Sequence, residues 1–594
     1  MRFSELSEHL KELEETPSRN KITEILAEVF KKAEADEIDK ICYLLLGRIA
    51  PQYEGIEFNF AEKMMVRAIA QAYGADVADV VREYKKKGDL GDVAEEMAKS
   101  KKQKAKSIDV IDVYNRLYKI ATESGGGSQE RKLEGMADLL RGVDSLSAKY
   151  IARIPVGKLR LGFSDITMLD ALSLMERGDK SARKEIEAAY NVTADIGKIA
   201  RRVKKSGLSG VKKVAAEPGV PIRPALAERL PTAEKIIEKV GPKVAAEPKY
   251  DGFRLQLHLF SKDGQKQVML FSRNHENVTA MFPEVVLAVK KLPFGSAIFD
   301  SEAIGYNPKT KKFLPFQETV QRKRKYGIEE KAKEMPLKVF VFDVLHLNGE
   351  SLMHEPFVKR RRTLESALKI GSDTITLTEQ KVVSEPEDIR LLFNTYSGEG
   401  LEGIVAKKLD MAYQAGGRGY HWVKFKKYTG VGKETSGLAD TIDCVLMGAY
   451  RGKGKRAGFG YGGFLLGVPG PGGPSRPARV EAEKFYSLSN LGTGLTDEQF
   501  REMKKMVDKI KVREVPKEYV VEKTIEPDVW VKPEIVLEIL ADEVTLSPRH
   551  TAGRAGGVRG FSLRFPRLIR IRDDKNPEQA TSVGEIKKLY KMSH

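Results

Sequence analysis

Cysteine is nearly absent: Cys42 and Cys444 are the only two in 594 residues, so neither a disulfide framework nor a cysteine-rich zinc site is encoded. A reducing compartment fits that usage. No uninterrupted apolar run approaches the roughly 18 residues of a membrane span. The opening Met1-Arg2-Phe3-Ser4-Glu5-Leu6-Ser7-Glu8 is acidic where a signal peptide is basic and then apolar. These absences predict a cytoplasmic protein without membrane association. Histidine is scarce too: the eight present form no triad or zinc spacing, and His346 and His421 are expected to be structural.

Positive charge is in excess. With 102 Lys+Arg against 84 Asp+Glu, the formal charge is +18 and the pI about 9.4, which favours a polyanionic partner. Nucleic acid, and hence a nucleoid setting, is the leading reading; a solvated charged face, or the Lys/Glu enrichment of proteins adapted to heat, are the alternatives. Apolar residues make up 41%, enough for each of roughly three to five domains to bury a core.

Up to about residue 220 the pattern is helical: Ile22, Ile25, Leu26 and Val29 recur at helix spacing, as do Ile38, Ile41, Leu45 and Ile49. Residues 99–106 form a basic linker, and Ser124-Gly125-Gly126-Gly127-Ser128 a flexible break. Pro218-Gly219-Val220-Pro221-Ile222-Arg223-Pro224 cannot continue a helix, because proline lacks an amide donor. Residues 226–428 then mix short apolar strands, such as Ala297-Ile298-Phe299 and Val339-Phe340-Val341-Phe342, with helical segments, as in an α/β or α+β domain. Beyond them Cys444-Val445-Leu446-Met447-Gly448 and Phe464-Leu465-Leu466-Gly467-Val468 read as strands joined by a basic, Gly-rich loop over 452–463, which predicts a small β-barrel. The predicted domains are 1–225, 226–428 and 429–594. Lys-Val-Ala-Ala-Glu-Pro occurs at 213–218 and again at 243–248, with no larger repeat around it.

Only the second copy continues into a lysine, in Glu247-Pro248-Lys249-Tyr250-Asp251-Gly252-Phe253-Arg254. Phe253, Leu255, Leu257 and Leu259 alternate with Arg254, Gln256 and His258, so Lys249 lies just before a half-buried strand, across an Asp-Gly turn that lets a ligand approach the backbone. An amine attacking phosphorus must be neutral, yet an ordinary lysine, with a pKa of about 10.4, is neutral in only about one molecule in a few thousand at pH 7. Burial and nearby cations correct this. Arg254, Arg273, Arg418, Lys424 and Lys426 are candidates, and the same charges suit triphosphate oxygens.

Carboxylates stand at the ends of predicted strands: Asp300 and Glu302, which share a face, Asp343, and Glu402 in Glu402-Gly403-Ile404-Val405-Ala406-Lys407. Oxygen ligands of this kind suit magnesium held partly through phosphates and water, though a salt bridge is the bland reading of each. Phe342 is either core or a platform for a base. Two motifs fail on inspection. Gly432-Lys433 follows Lys427 where a phosphate-binding loop needs glycine and precedes Glu434 where it needs a hydroxyl; the glycines of 452–458 lack dinucleotide spacing.

Taken in order, these segments resemble the ATP-dependent DNA ligases, above all the archaeal replicative type and its eukaryotic relatives. The matching motifs are the Lys249 segment, Phe271-Ser272-Arg273-Asn274, Phe299-Asp300-Ser301-Glu302, Phe342-Asp343, the Glu402 segment, Tyr413-Gln414-Ala415-Gly416-Gly417-Arg418 with Trp422-Val423-Lys424-Phe425-Lys426, and Arg570-Ile571-Arg572-Asp573-Asp574-Lys575. Leu159-Arg160-Leu161-Gly162 and Pro221-Ile222-Arg223-Pro224 also look like family segments. The resemblance implies a multidomain α and α+β protein: an all-α DNA-binding domain, an ATP-grasp-like nucleotidyltransferase domain and a C-terminal OB-fold barrel around a nick in duplex DNA. It implies that Lys249 carries AMP, that Glu247 reads adenine with Phe342 stacked on it, and that Arg254, Arg273 and Glu302 hold the ribose or nearby groups. By the same resemblance Arg418, Lys424 and Lys426 grip phosphates, Glu402 and Glu302 are metal carboxylates, and Arg572 and Lys575 orient pyrophosphate. ATP is the implied co-substrate and Mg2+ the metal, with Mn2+ an alternative, in an enzyme acting as a monomer in replication, repair and recombination.

Two departures qualify the match. Ser301 stands where the family commonly has glycine, which leaves both carboxylates in place. The peptide Gln103-Lys104-Ala105-Lys106-Ser107-Ile108 lacks the paired aromatics by which archaeal relatives bind a sliding clamp. RNA ligases and capping guanylyltransferases share a lysine followed by Asp-Gly, but the long helical N-terminal region argues against them. A DNA-binding scaffold without turnover is disfavoured by intact Lys249, Glu402 and Lys424.

Overall fold

A computed structural model of the chain describes residues 1–594 apart from 102–106, 160, 311, 325, 370–371, 427–440, 453–457, 471–483, 493–494, 542, 555–558 and 594. The helix spacing of the first 220 residues becomes twelve α-helices among the described residues, from Phe3–Glu15 to Ile196–Val211. Their apolar stripes meet in one core that holds Ile22, Ile25, Leu26, Val29, Ile38 and Ile41. The described chain divides into two compact units, Met1–Lys427 and Tyr428–His594, so the helices pack in the same unit as the region that follows them.

Among the described residues that region carries twelve strands: β1 (Leu226–Arg229), β2 (Val244–Lys249), β3 (Phe253–Lys262), β4 (Gln265–Ser272), β5 (Ala297–Asn307), β6 (Lys312–Phe313), β7 (Leu337–Leu347), β8 (Glu350–Ser351), β9 (Ile375–Leu377), β10 (Lys381–Val383), β11 (Gly403–Lys408) and β12 (Arg418–Lys426). One sheet runs β1-β12-β11-β2-β10, antiparallel except that β1 is parallel to β12. The other runs β4-β3-β5-β7-β8, with β6 on β5 and β9 parallel to β7. Period-two alternation explains the layering. In the first sheet Val244, Ala246, Ile404, Ala406 and Val423 turn outward onto the helices Ala233–Val240 and Pro386–Gly398. In the second, Leu255, Leu257, Phe299, Val339 and Val341 pack with Val285, Val289 and Leu364 of the helices Pro283–Lys290 and Phe357–Ala367. The opposite faces, rich in charge, are left for the site.

Two sequence expectations are corrected here. The polar stripe Arg254, Gln256, His258 on β3 is not a solvent face: Gln256 is 5% and His258 0% exposed. It holds the proline-rich segment instead. The Ile222 amide donates to Gln256 Oε1 at 2.8 Å, Gln256 Nε2 donates to the Ile222 carbonyl at 3.1 Å, and the Gly219 amide donates to His258 Nδ1 at 3.0 Å. The segment pairs with no strand among the described residues, so the side chains of β3 satisfy part of its backbone, and burial pushes His258 down to about 3. Nor do the carboxylates Asp300, Glu302 and Asp343 stand at strand ends; all three lie inside β5 and β7.

The second unit is β-rich, as expected. Its eight-stranded sheet centres on Ile442–Arg451, which pairs with Tyr461–Pro469 on one side and with Val529–Val531 and Val536–Leu540 on the other. The helix Asp497–Ile510 starts at a capping box formed by Thr496 and Gln499. Residues 103–106 of the clamp-like peptide, Arg160, Gly432-Lys433 and 453–457 of the basic loop lie outside the described residues. No helix among the described residues is long and apolar enough to cross a membrane.

Asp343 and Arg360 are both fully buried and joined by two parallel hydrogen bonds of 2.8 and 2.9 Å. Removing one partner strands a charge, so Arg360→Ala should destabilise the first unit by about 3–5 kcal/mol in urea unfolding. Adding Asp343→Ala should recover part of that loss; a double variant with the summed cost of both single variants would refute the pairing.

Candidate active site

Strand β2 ends on Lys249, and alternation turns Glu247 and Lys249 to one side. Its neighbour β11 sets Val405 opposite Glu247 and Gly403 opposite Lys249. On β12, Trp422, Lys424 and Lys426 stand opposite Lys407, Val405 and Gly403. Directly opposed residues share a face, so three strands present Glu247, Lys249, Lys407, Trp422, Lys424 and Lys426 as one surface. Glycine is required at 403: its φ is +142°, and a Cβ there would stand 2.2 Å from the Phe425 carbonyl oxygen.

Glu402 precedes that glycine, and its amide donates to the Lys249 carbonyl at 2.9 Å. Its carboxylate lies between two ammonium groups, one oxygen paired with Lys249 Nζ and the other with Lys426 Nζ. Deeper in the cleft Glu247, 2% exposed, pairs with Lys407 Nζ at 2.6 Å and accepts from Gln380 Nε2 at 2.9 Å. Burial pushes the Glu247 carboxyl up and the Lys407 ammonium down, against the attraction of each for the other. Lys407 also donates to the Phe342 carbonyl at 3.1 Å, with its nitrogen 4.7 Å from the Phe342 ring centre and 4.4 Å from that of Trp422. Phe342 and Trp422 meet edge to face at 5.8 Å.

The second sheet contributes Arg254, whose Nε donates to Asp300 Oδ1 at 2.8 Å, whose Nη2 bonds Asp300 Oδ2, and whose Nη1 donates to the Ala225 carbonyl at 2.6 Å. Tyr413 closes this cluster by donating to Asp300 Oδ2 at 2.7 Å and accepting from the Ala225 amide at 2.9 Å. Asp300 is therefore the buried anchor of Arg254, and of the expected carboxylate pair only Glu302 faces the ligand space. Gly252, in the turn after Lys249, meets β5 so closely that a Cβ would stand 2.2 Å from the Ala303 carbonyl oxygen.

A cavity of about 350 Å3 is bounded by Lys249, Glu247, Arg254, Arg273, Glu302, Phe342 and Lys424, seven residues that the sequence singled out. That volume lies within the roughly 300–1,000 Å3 typical of small-molecule sites. Lys426 and Glu402 adjoin it through Lys249. The side chain of Arg418 lies outside the described residues. Arg572 and Lys575 belong to the second unit, where both pair with Asp443, at 3.2 and 2.6 Å, and Arg572 also holds Asp574 at 2.8 Å. Sequence reasoning gave no role to Lys407, Trp422, Gln380 or Lys323, which complete the site. Lys407 was readable as the strand partner of the Glu247 row; Gln380 sits in no motif.

A family model described as the ATP dependent DNA ligase domain matches residues 224–426, one for the DNA ligase N terminus matches 2–173, and one for the ATP dependent DNA ligase C terminal region matches 457–575. A "Probable DNA ligase" of Dictyoglomus turgidum is 43% identical over 594 residues, covering 100% of this chain and 98% of its own length. The chain belongs to the ATP-dependent DNA ligase family. "DNA ligase 1" of Methanosarcina mazei is 37% identical to this ligase over 598 residues, with 99% of each chain covered. The solved structure called Pmar-Lig_Pre aligns with a TM-score of 0.54 over 96% of the ligase and 99% of its own chain at 17% identity, a likeness of fold.

Burial pushes the Glu302 carboxyl of the ligase up to about 7, against the lowering effect of Lys249 and Arg254. Because this lies above the ordinary value of 4.5, ionising Glu302 costs the folded state nothing below pH 4.5 and its full amount above about 7. The Tm of Glu302→Gln minus that of the parent should therefore rise from pH 4.5 to 7 and then level off. A difference that stays flat or falls across that window removes the assignment.

Proposed function

We propose that Lys249 attacks the α-phosphorus of ATP, forming an Nζ–P bond to AMP as the bond to pyrophosphate breaks. AMP then passes to the 5′-phosphate at a nick in duplex DNA, and the 3′-hydroxyl displaces it to form the phosphodiester. Each step is an in-line displacement at phosphorus, which makes positioning and charge neutralisation the main contributions of the protein. The observation that carries this reading is the nucleophile's place: Lys249 borders a cavity large enough for a nucleotide, inside a ring of cations.

In this assignment Glu247 and Phe342 hold the adenine, with Lys407 and Gln380 fixing the Glu247 carboxylate. Arg254, Arg273 and Glu302 address the ribose side, with Arg254 anchored through Asp300 and Tyr413. Lys424, Lys426 and Arg418 neutralise phosphates, while Arg572 and Lys575 of the second unit orient the leaving pyrophosphate. The Lys249–Glu402 pair is a resting arrangement, because attack requires the neutral amine and Glu402 must first exchange this partner for another cation. Magnesium is commonly bound by one or two carboxylates with phosphates and water, and Glu302 on the cavity wall and Glu402 beside Lys249 are oxygen donors of that kind. Glu402 and Glu302 would hold magnesium or manganese, and the ion would supply neutralisation of phosphate charge. One copy of the chain carries every assigned residue, so we take the monomer, acting in the nucleoid, as the working unit.

Incubation with α-labelled ATP and Mg2+, followed by denaturing electrophoresis, should label the parent enzyme covalently and leave Lys249→Ala unlabelled and unable to seal a nick. Label retained by the alanine variant would place the nucleophile elsewhere.

A further inference from the structure

Among the cations around the cavity, Lys249 is paired with Glu402, Arg254 with Asp300 and Lys407 with Glu247. Lys323 borders the same space and differs from these three: among the described residues it has no carboxylate partner. Its nitrogen lies 5.6 Å from the centre of the Phe253 ring. A half-buried lysine without a carboxylate partner, beside a cavity read as a nucleotide site, can offer its charge to an anion.

The side chain is also held in place. Arg322 immediately before it is fully buried, ion-paired with Glu284 and 5.8 Å from the ring of Phe282. Phe282 stacks on Phe253 at 5.2 Å, so the two neighbouring cations lie against a stacked ring pair. The segment that carries them is fastened to the nucleophile's turn: the Phe316 amide donates to Asp251 Oδ2 at 3.0 Å, and Thr319 Oγ1 accepts from the Gly305 amide at 3.0 Å. Anchors in the residues that lead up to Lys323 pre-pay part of its ordering cost, which strengthens any bond it makes to a bound ligand.

We propose that Lys323 is a phosphate-binding residue of the ligation reaction, and that it contacts the nucleotide's phosphates when ATP enters. The proposal rests on the reading of this cavity as the ATP site. It names a contact outside the motifs that identify the family, on a segment whose anchoring only the tertiary structure reveals.

The test uses the full chain with Lys249→Ala as the background, so that nucleotide binds without reacting. ATP and AMP are titrated by calorimetry against this protein and against versions carrying in addition Lys323→Met, which keeps the stem on Phe253, or Lys323→Arg, which keeps the charge. Loss of one charged hydrogen bond should weaken ATP binding roughly tenfold or more in the methionine version, with arginine restoring most of it. Weakening of ATP but not AMP assigns the β- or γ-phosphate; equal weakening of both assigns the α-phosphate. In a second arm, Lys323→Met with Lys249 intact is given a pre-adenylated nick. Slower sealing there, with nucleotide binding unchanged, would move the contact to the 5′-phosphate of the nick and overturn the ATP assignment. No change in either arm overturns phosphate binding altogether, as does an arginine variant as impaired as methionine, which would indicate a purely structural lysine. If the parent chain forms no Lys249 adenylate, the underlying reading of the cavity fails instead.

Discussion

The register of β11 between β2 and β12 is the constraint on which the rest of the site depends. Gly403 stands opposite both Lys249 and Lys426, and this places Glu402 between two ammonium groups. A slip of β11 by one residue would turn Lys407 into the helix-covered core and bring Ile404 and Ala406 to the cleft. Such a fold would bury the Lys407 charge away from its partner Glu247, at a cost of several kcal/mol, comparable with the whole stability of a domain. The alternation of charged and apolar residues thus enforces its own register.

Charge compensation is the second principle. A pocket lined only by cations would repel itself, so Asp300 and Glu247 each hold one of them at a fixed place and Glu402 holds two. The compensation differs with depth. Asp300 is sealed and permanent, bonded by Arg254 and Tyr413. Glu402 is partly open and paired with long, mobile side chains, the kind of contact that exchanges when a more highly charged ligand arrives. The strap over β3 extends this scheme to the helical region, because Ala225, which receives Arg254, follows the proline segment that His258 and Gln256 hold down.

Much of this was legible in the chain itself. Alternation along β3 and short apolar runs in β5 and β7 pointed to strands, helix spacing to the helices before residue 211, and the motif order to Lys249 and its ring of cations. What could not be read was which carboxylate serves which cation. Asp300 and Glu302 look equivalent in sequence, two positions apart on one strand, yet Tyr413 from a distant segment closes over the first and the second faces the cavity. Lys323 and Gln380 were invisible for the same reason: their relevance comes from loops that fold back over the site from outside the motifs.

The hexapeptide Lys-Val-Ala-Ala-Glu-Pro separates the two kinds of information. At 243–248 it enters β2, where β10 and β11 bond both its edges; at 213–218 the same six residues form neither helix nor strand beyond the last helical region. Sequence alone determined composition, charge, most element types and the candidate nucleophile, because these follow from local spacing, residue chemistry and motif order. Tertiary structure alone decided conformation at such ambiguous stretches, the pairing of each buried charge and the walls of the cavity, because hydrogen-bond partners and counter-charges come from segments far apart in the chain.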